Sequence, residues 1–328
     1  MTLWAKFALS AALFVAIPAG IALGLIASQR PVPDLRAEGD GLDFTRLGGP
    51  TASVPLRQYT ARDGASLGYR RWDSGQAGAP LVVALHGSGW HGAQYAGLGA
   101  ALAQRGIDVI APDLRGHGPA PARRGDIDYL GQFEDDIADL IADQAAPGQR
   151  VVVLGHSSGG GLAIRLAGGA HGARIDRAIL LAPFVQHDAP TARPDSGGWA
   201  RVLVRRVIGL SMLNAVGIRA LNGLTVIQFR FPDSVLDGPL GLTATRAYSY
   251  RLNTSYAPRR DWRADVAALP PFLLLAGRAD EAFRAEAYEP TFAALTANGT
   301  YALTDASHLS VVDDPETLTR ILRFLQPG

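Results

Sequence analysis

Gly155-His156-Ser157-Ser158-Gly159 is the stretch of this chain best equipped to do chemistry. It follows the apolar run Val151-Val152-Val153-Leu154 and precedes Gly160-Gly161-Leu162-Ala163-Ile164. An apolar strand, Gly-x-Ser-x-Gly and a small-residue helix start make a sharp strand-to-helix elbow that presents a serine as a nucleophile. Small residues beside the serine let strand and helix approach without a clash of side chains. Ser157 is therefore expected in a strained backbone conformation, with its hydroxyl projecting from the sheet edge.

A serine hydroxyl attacks only with a base to take its proton, an acid to orient that base, and donors for the oxyanion. The chain has 7 histidines, so the base can be sought by elimination. His156 lies inside the elbow, its side chain expected on the wrong side of Ser157. His86 and His117 stand in glycine turns after strands and read as structural. His91 lies in a loop and His187 at the mouth of an insertion, where substrate contact stays open for both. His171 follows a helix end and reads as a surface residue or a cap. His308 follows the last strand, in Thr304-Asp305-Ala306-Ser307-His308, and a loop there can swing back over the elbow. His308 is the expected base.

The acid is sought at the end of the preceding strand, because functional groups gather at the C-terminal edge of a parallel sheet. Leu273-Leu274-Leu275-Ala276-Gly277-Arg278-Ala279-Asp280 puts Asp280 just past that edge, with Glu281 as its nearest rival. The order Ser157, Asp280, His308 is the one this architecture uses. Two backbone N–H groups should form the oxyanion hole: that of Ser158, after the nucleophile, and that of Ser88 in His86-Gly87-Ser88-Gly89. Asp113-Leu114-Arg115-Gly116-His117-Gly118 reads as scaffold.

These groups need elements to hold them. Val54 to Thr60 and Ser66 to Trp72 read as two strands joined by a turn at Arg62-Asp63-Gly64. Strands are then expected at Leu81–Leu85, Asp108–Ala111, Val151–Leu154 and Ala178–Leu181, alternating with helices at Tyr95–Gln104, Phe133–Asp143 and Gly160–Ala167. Phe133, Ile137, Leu140 and Ile141 recur at helical spacing. Such alternation implies a parallel sheet with helices on both faces. It stops over Val185 to Arg263, which reads as a cap over the site. It resumes with a strand at Phe272–Ala276, a helix at Glu286–Ala297, a strand at Thr300–Leu303 and a helix at Thr317–Leu325.

Length and composition agree with one large α/β domain: 328 residues, 48% hydrophobic and 19% charged. A net charge of +1 gives no nucleic-acid footprint. With no cysteine there are no disulfides, thiolate metal sites or cysteine nucleophiles. Phe7 to Ala27 is almost continuously apolar, broken by Ser10 and Pro18, and its length is about the ~20 residues a membrane-crossing helix needs. Residues 1–29 are expected to be an uncleaved membrane anchor, with a cleaved signal segment as the competing reading. The globular part is expected outside the cytoplasm, periplasmic or extracellular. Residues 30–52, rich in Pro, Gly and charge, read as a linker, and residues 53–328 as the folded domain with its cap at about 185–263.

His-Gly-Ser-Gly at 86–89, Pro-Asp-Leu-Arg-Gly-His-Gly at 112–118, Gly-His-Ser-Ser-Gly-Gly at 155–160, Gly-Arg-Ala-Asp at 277–280 and Ser-His at 307–308 resemble the α/β-hydrolase superfamily. The nearest likeness is to its lysophospholipase and monoacylglycerol lipase-like serine hydrolases, and it spans about Ser53 to Leu325. The resemblance implies an α/β-hydrolase fold: a mostly parallel eight-stranded sheet with a helical cap insertion. It also implies cleavage of a lipid-like or small acyl ester without cofactor or metal. Ser157, Asp280, His308, Ser88 and Ser158 match the family's motifs. The insertion departs from the pattern in its richness in arginine and aliphatic residues; it is expected to be a lid whose apolar face packs on the domain, with a face that rests on a membrane as the competing reading. An amidase, thioesterase or acyltransferase would use the same triad. A membrane-tethered binding or scaffold protein on the same fold is the alternative from another class. An aspartate nucleophile is disfavoured because serine holds the elbow, and a metal hydrolase because the histidines lack paired ligand spacing.

Overall fold

The computed structural model describes residues 2–37, 42–44 and 54–326. The expected start of the domain at Ser53 and most of the later part of the linker lie outside the described residues. Eight strands form the main sheet. They are β1 (Arg57–Thr60), β2 (Ser66–Trp72), β3 (Leu81–Leu85), β4 (Asp108–Pro112), β5 (Val151–His156), β6 (Arg177–Leu181), and, beyond the insertion, β10 (Phe272–Ala279) and β11 (Gly299–Ser307). Their spatial order is β1-β2-β4-β3-β5-β6-β10-β11. Only β1–β2 and β2–β4 pair antiparallel, and the other pairs are parallel. The central strands β3 and β5 are buried at every residue, as helices on both faces require.

The helices of this layer are α2 (Ala96–Ala103), α3 (Gln132–Gln144), α4 (Ser158–Ala167), α8 (Trp262–Ala267), α9 (Tyr288–Ala293) and α10 (Pro315–Leu325). α2 packs with α10, and α3 and α8 pack with α4. In α3 the apolar positions Phe133, Ile137, Leu140 and Ile141 are all buried, so the 3.6-residue period finds its core face. α10 starts where Asp314 caps the N–H groups of Glu316 and Thr317 and Pro315 occupies the first turn. The helix expected over Glu286–Ala297 is shorter, because a 3₁₀ turn at Ala285–Ala287 precedes it.

The insertion between β6 and β10 corrects the expectation of a helical cap. It carries a three-stranded antiparallel sheet, β7 (Ala200–Val202), β8 (Thr225–Phe229) and β9 (Ala247–Ser249). The helices α5 (Val204–Ala215), α6 (Asp233–Leu236) and α7 (Tyr250–Tyr256) flank it. Its inward residues Trp199, Phe229, Phe231, Tyr248 and Tyr256 join the main core, so the cap is fused to the domain. A second apolar cluster joins Leu210, Leu213, Val226 and Tyr250 of the cap to Ala22 and Ile26.

Those two residues belong to α1 (Leu3–Ala27), which crosses α5 closely enough that a Cβ on Gly209 would meet the carbonyl oxygen of Ala22 at 2.5 Å. Among the described residues no helix is long and apolar enough to cross a membrane, and several side chains of α1 are outside the described set. The chain after α1 does not hang free as a tether. The Gln228 carboxamide bonds both the N–H and the C=O of Val32. Ala37 N–H donates to the carbonyl of Phe231, and Arg246 pairs with Asp34 at 2.8 Å. This segment therefore lies along the cap.

Candidate active site

Ser157 sits at the elbow between β5 and α4 with φ 54° and ψ −121°, a conformation that non-glycine residues seldom adopt. The turn can be that tight because its neighbours are glycine. A Cβ on Gly155 would stand 2.1 Å from the carbonyl oxygen of Gly159, and one on Gly159 would stand 2.0 Å from that of Leu85. The strained serine is held by its own backbone: its N–H donates to Leu181 and its C=O accepts from Phe184 and Gly161. The expected helix start at Gly160 moves to Ser158, so the Ser158 N–H opens the first turn of α4.

The three residues expected from the sequence come together. Ser157 Oγ lies 3.0 Å from His308 Nε2, and His308 Nδ1 lies 3.0 Å from Asp280 Oδ2. Asp280 Oδ1 accepts from the N–H groups of Ala282 and Phe283 at 2.8 and 2.7 Å. Burial alone would raise the Asp280 carboxyl. The charge of His308, its hydrogen bond and the two N–H groups outweigh that and hold the carboxyl below its usual range. An ionised Asp280 accepts the hydrogen bond of His308 Nδ1–H and so fixes that tautomer, which leaves Nε2 free to accept from the Ser157 hydroxyl.

Glu281, the rival acid, does not reach the His308 ring. Its Oε2 accepts the His308 backbone N–H at 2.9 Å and its Oε1 the Asp43 N–H at 3.2 Å. Ser88 and Ser158 both line the recess beside Ser157 Oγ. The Gly87 N–H is taken by Gln94 Oε1 and the Gly89 N–H by Tyr248 Oη, while the Ser88 N–H has no acceptor among the described residues.

The other histidines separate by their surroundings. His86 Nδ1–H donates to its neighbour Gly87 and Nε2 accepts from Leu114 N–H, so it staples two turns together. His91 is buried, stacked on Trp90, and lines neither recess at Ser157. His171 pairs with Asp135 at 3.0 Å, and His187 is exposed away from both recesses.

Two supporting chains of polar side chains were not apparent in the sequence. In the first, Gly87 N–H donates to Gln94 Oε1, Gln94 Nε2 donates to His156 Nδ1 at 2.7 Å, and His156 Nε2 donates to the His308 carbonyl at 2.8 Å. His156 thus fixes the backbone of His308. Burial and the nearby His308 push its pKa down to about 3, which keeps it neutral as the chain requires.

In the second, Gly89 N–H donates to Tyr248 Oη at 2.5 Å, and the Tyr248 hydroxyl has one proton left to give. It goes to His117 Nε2 at 2.8 Å. His117 is neutral, its pKa pushed to about 3 by burial, and its Nδ1 faces the carbonyls of Leu114 and Arg115. The stretch read as scaffold therefore supports the cap tyrosine that supports the turn beside Ser157. Trp199 Nε1–H donates to Ser88 Oγ, and Tyr256 donates to the His86 carbonyl, so the cap grips the turn at three side chains.

Two small recesses flank Ser157 Oγ. One of about 60 Å³ is lined by Phe184, Ile227, Phe229, Tyr256 and Phe283 as well as the candidate residues. The other, about 20 Å³, reaches toward Trp90, Leu309 and the segment after α1. A larger cavity of about 440 Å³ lies by β1, β2 and the loop 113–128 and touches none of Ser157, Asp280 or His308. Among the described residues no group of three or more His, Asp or Glu side chains stands together as a metal site.

Sheet order, elbow and cap define a serine hydrolase of the α/β-hydrolase fold, in its lipase- and esterase-like branch. More narrowly, the chain belongs to the Hydrolase_4 family, described as serine aminopeptidase, S33, which matches residues 77–308. It is 28% identical over 234 residues to monoglyceride lipase of Homo sapiens, a match covering 70% of this chain and 75% of that one. It is 33% identical over 158 residues to monoacylglycerol lipase of Mycolicibacterium smegmatis, covering 46% of this chain and 54% of that protein. The solved structure of a membrane phospholipase A, described as a bacterial virulence factor, superposes with a TM-score of 0.55 at 17% identity. That superposition covers 98% of this chain and 96% of the other, and it shows the shared fold.

Proposed function

We propose that this protein hydrolyses a carboxylic ester with an apolar acyl group through an acyl-enzyme on Ser157. His308 Nε2 takes the Ser157 proton as Oγ attacks the ester carbonyl. Asp280 holds the imidazole tautomer and offsets the imidazolium charge, and the N–H groups of Ser88 and Ser158 receive the oxyanion. The same proton then leaves with the alcohol as the C–O bond breaks. Water, deprotonated by His308, attacks the acyl-enzyme and frees the acid. The observation that carries this reading is the line from Ser157 Oγ through His308 to Asp280, at 3.0 Å in each step, opening on an apolar recess. Relatives described as monoglyceride and monoacylglycerol lipases favour a lipid-like ester.

The test is turnover of a panel of acyl esters, anilides and thioesters by the parent and by Ser157→Ala. The parent should cleave esters fastest, and loss of the triad serine should lower kcat by several orders of magnitude. Equal turnover by both proteins would refute the assignment.

α1 is also proposed to hold the enzyme at a membrane, with the globular part outside the cytoplasm. The apolar run in α1 supports this, as does the charge around it. Residues 1–33 and 197–232 contain no Asp or Glu and carry Lys6, Arg30, Arg201, Arg205, Arg219 and Arg230 besides the buried Arg206. Cationic, apolar surfaces suit anionic lipid. Cell fractionation with carbonate extraction should leave the full chain in the membrane pellet. Release into the carbonate wash would refute anchoring, and an N-terminus beginning after residue 27 would show cleavage.

A further inference from the structure

The recesses at Ser157, about 60 and 20 Å³, are small beside the ~300–1,000 Å³ of ordinary ligand sites, and hold a few waters rather than an acyl chain. Some wall must therefore yield before a long-chain ester can bind. The smaller recess is closed on one side by Leu42 and Phe44, from the segment that the sequence presents as a linker. The Phe44 ring lies 5.3 Å from that of Trp199 and 5.5 Å from that of Phe231. Between them, Asp43 N–H reaches Glu281, the same carboxylate that receives the His308 N–H.

The walls differ in how they are held. The cap side is tied to the His86–Gly89 turn by the Trp199, Tyr248 and Tyr256 side chains and by the Thr245 N–H on the Gly89 carbonyl at 2.8 Å. Leu42 and Phe44 are only partly buried and meet their neighbours through apolar contact. Displacing them breaks no hydrogen bond of their side chains and disturbs the exposed Asp43 N–H bond to Glu281, whereas moving the cap breaks several buried ones. Buried hydrogen bonds are costly to leave unmade.

We propose that Leu42 and Phe44 are the specificity-determining wall of this active site. They restrict it to short substrates while in place, and larger apolar esters enter only by displacing them. The proposal rests on the ester-hydrolase reading given above. It makes Leu42 and Phe44, from a stretch the sequence presents as a linker, part of the substrate site.

The experiment compares full-chain Phe44→Ala and Leu42→Ala with the parent on 4-nitrophenyl acetate, butyrate, octanoate and decanoate. Both variants should raise the ratio of kcat/KM for decanoate to that for acetate, Phe44→Ala by about tenfold, the scale on which small apolar changes in a pocket discriminate substrates. A ratio that stays level or falls in both variants overturns the wall assignment. A short-chain fluorophosphonate labels Ser157 in parent and variants alike and reports that the site is assembled. If the parent hydrolyses esters but the ratio does not move, the wall alone is refuted. If the parent is neither labelled nor active, the hydrolase reading fails and this one with it.

Discussion

Tyr248→Phe removes one oxygen and nothing else, and the structure says what that oxygen does. The Gly89 N–H loses its acceptor at 2.5 Å and His117 Nε2 loses its donor at 2.8 Å, both in surroundings closed to water. Each buried polar group left without a partner costs roughly 1–3 kcal/mol, so the folded state should lose about 2–6 kcal/mol before relaxation. Ser88 directly precedes Gly89, so a shift of the turn moves the Ser88 N–H away from the oxyanion position proposed for it. Full loss of one such donor lowers kcat by about 10²–10³. The Gly89 carbonyl keeps its bond from Thr245 N–H, so the turn should slip rather than detach. The expected loss is accordingly smaller, about 10- to 100-fold in kcat, with a lesser change in KM because the phenyl ring still lines the recess. Steady-state kinetics on 4-nitrophenyl acetate, read beside denaturant unfolding, separates the two effects. A variant that unfolds more easily but keeps the parent's kcat would refute the link from Tyr248 to the oxyanion turn.

Other outcomes follow from the same geometry. Asp280→Asn should keep the fold but lower kcat by about 10³–10⁴, because the amide can favour the wrong His308 tautomer; an active Asp280→Asn protein would return the acid's role to Glu281. His86, His91, His117 and His156 all titrate below their ordinary value because burial disfavours the imidazolium, with His91 at about 4 and His117 and His156 at about 3. The unfolded chain binds those protons first, so the stability is fully present above about pH 6.5 and is lost as pH falls toward 4 and 3. Each histidine contributes up to about 2 kcal/mol of that loss between pH 6.5 and 5, at ~1.4 kcal/mol per unit. Urea unfolding at pH 7.5 and pH 5 measures it, and equal midpoints would contradict neutral burial. Gly209→Ala should force α5 away from α1, where the added Cβ meets backbone at 2.5 Å. Faster tryptic cleavage after the exposed Arg205, whose N–H donates to Gln29 just beyond α1, reports that separation, and an unchanged digestion pattern would contradict the packing.

How far the sequence alone reached depended on the kind of constraint. The elbow was legible because its glycines are compulsory: any Cβ at 155 or 159 would collide with backbone. Asp280 and His308 were legible because the ends of parallel strands converge, and chain order then assigns the roles. The parallel sheet followed from its short apolar strands. The cap sheet did not, since Ala200–Val202 and Ala247–Ser249 are three residues each and arginine interrupts the apolar pattern around them. Gln94, His156, Tyr248 and His117 work as partners across sequence separations of 62 and 131 residues, and no local period records such pairs. The segment after α1 misled for a related reason. Proline, glycine and charge there signal solvent, and the scattered apolar residues, Val32, Leu35, Leu42 and Phe44 among them, follow no period that marks a docked chain.

The central claim is that Ser157 is a nucleophile activated by His308. It is tested most directly by treating the full-length protein with a fluorophosphonate probe and mapping the adduct by peptide mass spectrometry. One phosphonylated residue is expected, Ser157, at a rate reduced by orders of magnitude in His308→Ala. An unmodified Ser157 in folded protein, an adduct at Ser88 or Ser158 instead, or labelling that ignores the loss of His308 would contradict it.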